Sequence, residues 1–150
     1  FHERGTPKGF DPYYDYQQAL EVSRELKKPV LVDFTGWNCV NCRKMEANVW
    51  TEPKVRELLN NEFVMAELFV DDKTELPEED QYVSTYSGKK NNTIGKKWSD
   101  FQAATFNSNS QPLYVIVDGE GNVLVPPQGA DYNPQNYIDF LESGIRAYNK

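Results

Sequence analysis

The residues best suited to chemistry in this chain are its two cysteines, Cys39 and Cys42, which are separated by Val40 and Asn41. Two thiols at this spacing can close into a disulfide and open again with little movement of the backbone. If a helix begins at the pair, its unpaired N–H groups and its dipole stabilise a thiolate on Cys39. Cys42, one turn further along, is then placed to attack a mixed disulfide formed by Cys39. The spacing therefore predicts thiol–disulfide exchange.

A metal site or a passive disulfide is the alternative interpretation of the same pair. A structural zinc site takes four ligands, most often Cys and His. The chain has two Cys and one His, so these residue types cannot complete such a site within one copy. Carboxylates or a second subunit would have to contribute. We therefore expect no metal, and no cofactor other than the redox-active Cys39–Cys42 disulfide itself.

Two acidic residues lie where they could control the protons of these thiols. Asp33 interrupts an apolar run six residues before Cys39, so we expect it to be buried behind the pair with a raised pKa. A carboxylate there could accept the proton of Cys42, or it could be a structural group bonded to the backbone. Glu46 follows Cys42 by one helical turn on the same face, where it either tunes both thiols by its charge or is solvated.

Other side chains near the pair give weaker indications. Trp37 either shapes the surface that meets a substrate or only packs as a partly buried ring. Asn38 and Asn41 carry no charge. We expect Arg43 and Lys44 to point to solvent, which leaves the thiolate without a cationic neighbour.

Length and composition limit the class of protein. The 150 residues suggest one domain, and 39% hydrophobic residues indicate a globular chain. Lys and Arg total 16 against 23 Asp and Glu, a net charge of −7, which argues against binding to nucleic acid or to anionic lipid. No apolar run is long enough to span a bilayer. Because the chain begins with Phe1 rather than Met, we expect it to be a piece of a longer protein.

Hydrophobic periodicity predicts the elements that must position the cysteines. Strands joined through helices favour a parallel pair, and a turn at 118–122 favours an antiparallel hairpin. Residues 1–12 are predicted to be an arm or linker remnant, 13–150 the domain, and 71–95 a surface excursion. Helices are predicted over 15–28, 39–49, a stretch resuming at 53, 96–106 and 134–148. Strands are predicted over 30–34, 63–70, 113–117 and 123–125.

Three stretches resemble thioredoxin-fold disulfide reductases, and most closely the C-terminal periplasmic domain of the DsbD family of transmembrane thiol:disulfide interchange proteins. They are KPVLVDFTGWNCVNCRKME at 28–46, VWTEPKVREL at 49–58 and QPLYVIVDGEG at 111–121. The resemblance covers most of the chain. It implies an α/β thioredoxin-like three-layer sandwich, with a central mixed sheet flanked by helices and an insertion near 71–95.

The resemblance also implies roles for particular residues. Cys39 and Cys42 match the two cysteines that exchange electrons in the family. Asp33 matches the acid of its strand and Glu46 the acid of its helix. Pro112 matches a cis-proline that faces the disulfide, where exposed backbone groups can pair with a substrate strand.

Two departures from the family pattern lie on the surface expected to face the substrate. Asn38 separates Trp37 from Cys39, whereas the common thioredoxin motif has the two adjacent. Gln111 precedes Pro112 where smaller residues are usual. Our candidates for substrate binding are therefore Trp37, Asn38, Gln111 and Pro112.

The function implied is a protein-disulfide reductase in the periplasm, tethered to the inner membrane in the full-length protein. Electrons would come from a transmembrane domain of the same polypeptide and pass to periplasmic thioredoxin-like acceptors, including cytochrome c maturation factors. The alternatives are a disulfide oxidase or isomerase, or a non-enzymatic binding module. The acids near the motif favour the reductase, because a strong oxidant needs a much stabilised thiolate.

Overall fold

The computed structural model describes residues 9–150, which fold into helices and strands arranged around one sheet. The predicted helices are all present, with ends that differ by a few residues. In chain order the elements are α1 (Tyr16–Leu26), β1 (Val30–Thr35), α2 (Val40–Asn48), α3 (Pro53–Asn61), β2 (Val64–Phe69), a short 3₁₀ helix (Glu78–Asp80), β3 (Tyr82–Val83), β4 (Lys90–Asn91), α4 (Ile94–Phe106), β5 (Leu113–Val117) and α5 (Pro134–Tyr148).

The main sheet has the strand order β2–β1–β5 and is mixed, as predicted. β1 runs parallel to β2, with Val30 opposite Val64, and antiparallel to β5, with Phe34 opposite Leu113. All six residues of β1 and of β2 are buried, because helices cover both faces of the sheet. The result is the predicted three-layer α/β sandwich.

The two faces of the sheet carry separate hydrophobic clusters. Alternation along β1 sends Leu31 and Asp33 to one face, and Val32 and Phe34 to the other. The face of Leu31 packs against α2, α3 and α5 through Met45, Leu59 and Leu141, among others. The face of Val32 packs against α1 and α4 through Leu20 and Trp98, among others.

The predicted strand at 123–125 does not form a continuous strand, although the segment runs antiparallel beside β5 after the turn at 118–122, as the predicted hairpin requires. The segment makes isolated bridges to β5 instead, Val117 with Val123 and Tyr114 with Gln128. Pro126 and Pro127 lie between those bridges and have no N–H to donate, so a continuous ladder cannot form.

The predicted arm at 1–12 lies mostly outside the described residues, which begin at Gly9. Phe10 is buried, and its ring lies 5.4 Å from that of Trp50, centroid to centroid. Tyr13 makes a parallel bridge with Ala66 on the outer edge of β2. The chain is therefore packed on the domain from Phe10 onward.

The segment at 71–95 contains the 3₁₀ helix, the small antiparallel ladder of β3 with β4, and the start of α4. α4 begins two residues before its predicted start, because the Thr93 hydroxyl accepts a hydrogen bond from the Lys96 N–H and caps it. None of the helices between residues 9 and 150 is long and apolar enough to cross a membrane.

Candidate active site

The cysteine pair opens α2. Cys39 is the N-cap residue, and its sulfur accepts a hydrogen bond from the Cys42 N–H at 3.2 Å. The two residues are joined as a disulfide, with their Cα atoms 5.2 Å apart. Cys42 is 1% exposed, whereas Cys39 is half-buried. An incoming sulfur can therefore reach Cys39, while Cys42 faces the protein interior.

The loop that leads into the pair is held by Asp71, which the sequence analysis missed. Its carboxylate accepts the Trp37 N–H at 2.9 Å and the Asn38 N–H at 3.2 Å. The Trp37 ring stacks on Phe69, with centroids 4.5 Å apart, and stays 36% exposed. One side of the indole thus packs on the domain while the ring remains open to a partner protein.

Three buried carboxylic acids form a cluster between the sheet and α2. Asp33, Glu46 and Glu67 are each 1–2% exposed, and one oxygen of each lies within 4.8 Å of the others. Asp33 and Glu67 are directly opposite in the register of β1 and β2. Glu46 reaches them from α2, one helical turn after Cys42. The sequence analysis did not single out Glu67.

Burial controls the charge of this cluster. It raises the pKa of Asp33 well above its usual value, and the nearby Glu67 and Glu46 raise it further, against the opposing effect of Arg43. Burial also raises the pKa of Glu46 to about 8, where Arg43 lowers it and Glu67 raises it. Glu46 is therefore mainly protonated at neutral pH.

Arg43 does not point to solvent, so that prediction is wrong, whereas Lys44 is exposed as expected. The Arg43 Nη2 donates to Glu46 Oε2 at 3.0 Å and to Thr35 Oγ1 at 3.1 Å. The guanidinium is drawn inward because Glu46 lies three residues further along the helix, on the adjoining face. It brings one positive charge to the edge of the acid cluster.

The acid cluster is also the group that, among the residues from 9 to 150, has the spacing to hold a metal ion. Each carboxyl group is almost wholly buried, and Arg43 already occupies one oxygen of Glu46. The Asp33 Oδ1 and the Glu46 Oε1 make no hydrogen bond with any described residue.

The peptide bond between Gln111 and Pro112 is cis, as predicted. Pro112 is buried and directly precedes Leu113, which pairs with Phe34 of β1. The proline therefore lies at the same end of the sheet from which β1 leads to the cysteines.

The side chain of Gln111 is held by α4. Its Nε2 donates to the Oε1 of Gln102 at 2.9 Å, and the Nε2 of Gln102 donates to the Ser110 carbonyl at 2.7 Å. Gln102 is fully buried, so a single amide fixes the loop before the proline. The sequence analysis missed Gln102, since a glutamine inside an amphipathic helix carries no distinguishing signal.

The loop before α5 also reaches the motif. The Tyr132 hydroxyl donates to Asn41 Oδ1 at 2.9 Å. Tyr132 is 44% exposed and Val40 is 65% exposed. With Trp37, they give the surface around Cys39 an apolar character.

Comparison with known proteins agrees with this geometry. A sequence model of a family described as Thioredoxin-like matches residues 11–119. No curated protein sequence is significantly similar to the chain.

Several solved structures share the fold. A structure titled DsbH Oxidoreductase is 21% identical with a TM-score of 0.64, and the alignment covers 97% of this chain and 93% of that one. A thioredoxin from Thermus thermophilus is 20% identical with a TM-score of 0.60, covering 87% and 84%. The oxidised DsbD C-terminal domain from Neisseria meningitidis is 16% identical with a TM-score of 0.58, covering 89% and 99%.

These likenesses support the fold rather than any one partner or substrate. The Cys-x-x-Cys pair at the start of α2 is the feature that gives this fold its redox chemistry. On the match over residues 11–119, the chain belongs to the thioredoxin-like family, with the fold of a thiol–disulfide oxidoreductase.

Proposed function

We propose that the protein is a protein-disulfide reductase that passes electrons from its Cys39–Cys42 dithiol to oxidised partner proteins outside the cytoplasm. The observation that carries this proposal is the cluster of buried carboxylic acids one helical turn below Cys42. Such a cluster can handle the proton of a buried thiol, and it disfavours extra negative charge nearby.

The reaction follows from the different exposure of the two sulfurs. The Cys39 thiolate attacks one sulfur of the partner's disulfide, and the partner's other sulfur leaves as a thiolate that takes a proton from water. Cys42 then gives its proton to the Asp33 carboxylate and attacks the Cys39 sulfur, and the partner's second sulfur leaves as a thiolate that takes a proton from water. Two electrons pass to the partner, and the Cys39–Cys42 disulfide is formed.

The raised pKa of Asp33 suits this step. A thiol has a pKa near 8.5, so an ordinary carboxylate is too weak a base for it. A base is most effective when its pKa approaches that of the group it deprotonates and the working pH. Burial moves Asp33 in that direction.

Electrostatics favour the reducing direction over an oxidase. A strong oxidant has a highly stabilised thiolate on its first cysteine, which stabilises its reduced form. Here the helix N-terminus stabilises the Cys39 thiolate, while the acids one turn away oppose any added negative charge. The dithiol therefore gains less stabilisation, and its electrons are given up more readily.

The proposed partners are other thiol proteins. The resemblance of residues 28–46 to the DsbD C-terminal domain supports an electron supply from a transmembrane domain of the same polypeptide, and delivery to periplasmic thioredoxin-like acceptors. The apolar surface formed by Trp37, Val40 and Tyr132 suits contact with a protein chain. The net charge of −7 supports neither nucleic acid nor an anionic membrane as a partner.

The test is the reduction potential of the disulfide, measured by equilibration with glutathione, together with reduction of insulin. We expect a potential nearer to thioredoxin's value of about −270 mV than to the roughly −120 mV of the oxidant DsbA. Insulin reduction should be lost in Cys39→Ser. A potential near −120 mV would favour the oxidase or isomerase, and absence of any exchange by the wild type would favour a binding module.

A further inference from the structure

Positive charge is concentrated in one part of the chain between β2 and the first turns of α4. Residues 82–99 contain four Lys and no Asp or Glu. The whole chain has a net charge of −7, to which this stretch contributes +4, so the other residues carry −11. One basic stretch on an acidic protein makes the surface potential uneven, and such a surface selects its partners by charge.

The same stretch exposes large apolar side chains. Tyr82 is 39% exposed, Val83 63% and Tyr86 59%. Between residues 9 and 150, three of the eight large hydrophobic residues that are exposed thus lie within five consecutive positions. Apolar groups with a charged rim are typical of surfaces that bind another protein. We call this surface the hairpin patch, and it consists of Tyr82, Val83, Tyr86, Lys89, Lys90 and Lys96.

Hydrogen bonds to α4 hold the backbone that carries the patch. Ser84 is 2% exposed, and its hydroxyl donates to one carboxylate oxygen of Asp100. The same hydroxyl accepts the N–H groups of Tyr86 and Ser87, each at 3.0 Å. The Tyr82 hydroxyl donates to the other oxygen of Asp100 at 3.3 Å. The hairpin is therefore ordered before a partner arrives, which lowers the entropic cost of binding.

The lysines of the patch keep their charge available to a partner. Lys89, Lys90 and Lys96 are exposed, and none of them forms an ion pair with a residue in the described part of the chain. The Lys96 Nζ donates to the amide oxygen of Asn92 at 3.1 Å, which leaves its charge uncompensated. The three lysines help to line a cavity of about 250 Å³ between the hairpin and α4, together with Asp100. This cavity has room for an acidic side chain of a partner.

The segment that carries the patch begins and ends beside the cysteine motif. Its first residue, Asp71, accepts two N–H groups of the loop that precedes Cys39. Near its other end, the Gly95 N–H donates to the Asp72 carbonyl at 2.9 Å. Because Lys96 directly follows Gly95, a single partner protein can contact both Cys39 and the near end of the patch.

We propose that the hairpin patch is the docking surface for a partner protein with an acidic, partly apolar face beside its own disulfide or dithiol. The partner's carboxylates lie against the lysines, and its apolar groups lie against the exposed tyrosines and valine. The proposal deepens the reductase function by giving the charge of the partner, and its role in electron transfer rests on that function. Opposite charges speed the encounter and disfavour partners of the wrong charge.

A protein partner fits this surface better than the other anionic partners that a basic stretch can bind. Nucleic acid and anionic membranes carry negative charge over a wide area. The −11 carried by the rest of the chain opposes both of them. An acidic face on a protein can be confined to the patch, where the positive charge lies.

The first test measures binding to the oxidised protein, in which no thiol is free to exchange. The probe is a fluorescently labelled peptide of repeated Glu-Glu-Leu, compared by anisotropy with its neutral Gln-Gln-Leu counterpart. The acidic peptide should bind more tightly, and Lys89→Glu with Lys90→Glu should weaken its binding by about tenfold or more, since like charges then face each other. The control, Lys54→Glu with Lys150→Glu, has the same net charge and changes exposed lysines elsewhere, so it should keep the wild-type affinity.

A second test connects docking to electron transfer. The substrates are peptides with an internal disulfide and a tail of repeated Glu-Glu-Leu or Gln-Gln-Leu, and chromatography follows their reduction by the reduced protein. The acidic peptide should be reduced several-fold faster by the wild type and by the control. This advantage should disappear in the patch variant and in 1 M salt, where the Debye length is only about 3 Å. Hydroxyethyl disulfide, which is small and uncharged, should be reduced at the same rate by all three proteins.

Several results would overturn the proposal. They are equal binding of the acidic and neutral peptides, equal loss of affinity in the patch variant and its control, or no rate advantage of the acidic tail. Tighter binding to phosphatidylserine vesicles or to single-stranded DNA than to the acidic peptide would also overturn it, because the partner would then be a membrane or a nucleic acid. The binding test needs no exchange, so a reduction potential near that of an oxidant would reject the reductase and leave the docking surface intact.

Discussion

The two sulfurs of the pair differ in their surroundings far more than their separation along the chain suggests. Cys39 caps α2 at the surface, where the Cys42 N–H donates to its sulfur. Cys42 is 1% exposed and lies one helical turn before Glu46 of the acid cluster. One sulfur is therefore placed to meet partners and the other to resolve the intermediate.

This asymmetry predicts opposite results for two substitutions. Cys42→Ser should trap a mixed disulfide between Cys39 and a partner, because the resolving thiol is absent. Cys39→Ser should abolish exchange, since the remaining thiol is buried. Non-reducing gel electrophoresis after mixing with an oxidised partner measures both. Equal trapping by the two variants would show that the order of attack is wrong.

The structure changes the expected effect of Asp33 and Glu46 on the two thiols. From sequence, Asp33 and Glu46 were expected to oppose a thiolate through their charge. Burial raises the pKa of both, and that of Glu46 to about 8, so the negative charge of Glu46 grows only as the pH approaches that value.

At the level of helices and strands, the sequence predicts the order of the elements and the place of the motif. The apolar runs of β1 and β2 are wholly buried, as their composition indicates. The strand at 123–125 fails because two prolines interrupt its pairing with β5. Both prolines directly follow the segment in the sequence, and a proline cannot donate to a ladder, so the residue types alone indicate this interruption.

Glu67 and Asp71 were missed for a different reason. Both gain their roles from the register of β2 beside β1, which places Glu67 against Asp33 and Asp71 beneath the loop at 36–38. Asp33 could be found because it lies close to the cysteines in the chain. An acid that reaches the site from another strand gives no such signal.

The loop anchor gives a prediction about stability and rate together. Asp71→Ala should lower the free energy of unfolding by roughly 2 kcal/mol, because two N–H groups lose a charged acceptor. The same change should slow thiol exchange, since the loop that positions Cys39 is no longer fixed. Urea denaturation and insulin reduction measure the two effects. Asp11→Ala, at an exposed position, is the matched control, and equal behaviour of the two variants would contradict the anchoring role.

For the molecule as a whole, the buried acids predict how stability depends on pH. An unfolded Glu has a pKa of about 4.3, and the pKa of Glu46 in the folded protein is about 8. Between these values the folded state binds more protons than the unfolded state, so stability falls as the pH rises. For one such group, the free energy of unfolding should fall by at most about 1.4 kcal/mol per pH unit. Asp33 acts in the same direction.

Denaturant unfolding of the oxidised protein at a series of pH values between about 5 and 8 measures this slope. Glu46→Gln should make it shallower, because a neutral amide cannot release a proton, while Glu62→Gln should leave it unchanged. A wild-type stability that rises across this range would mean that the acids are ionised in the folded state.

The isolated β-bridges at the two edges of the sheet bear on aggregation at high protein concentration. The backbone of a free strand edge is a template for pairing with another molecule, which leads to aggregation. Here Tyr13 binds the backbone of β2 on one side, and Gln128 binds that of β5 on the other. Pro126 and Pro127 add positions that cannot donate a hydrogen bond. The backbone at these positions is already paired, so the connecting segments themselves reduce the edge that is open to a neighbouring molecule.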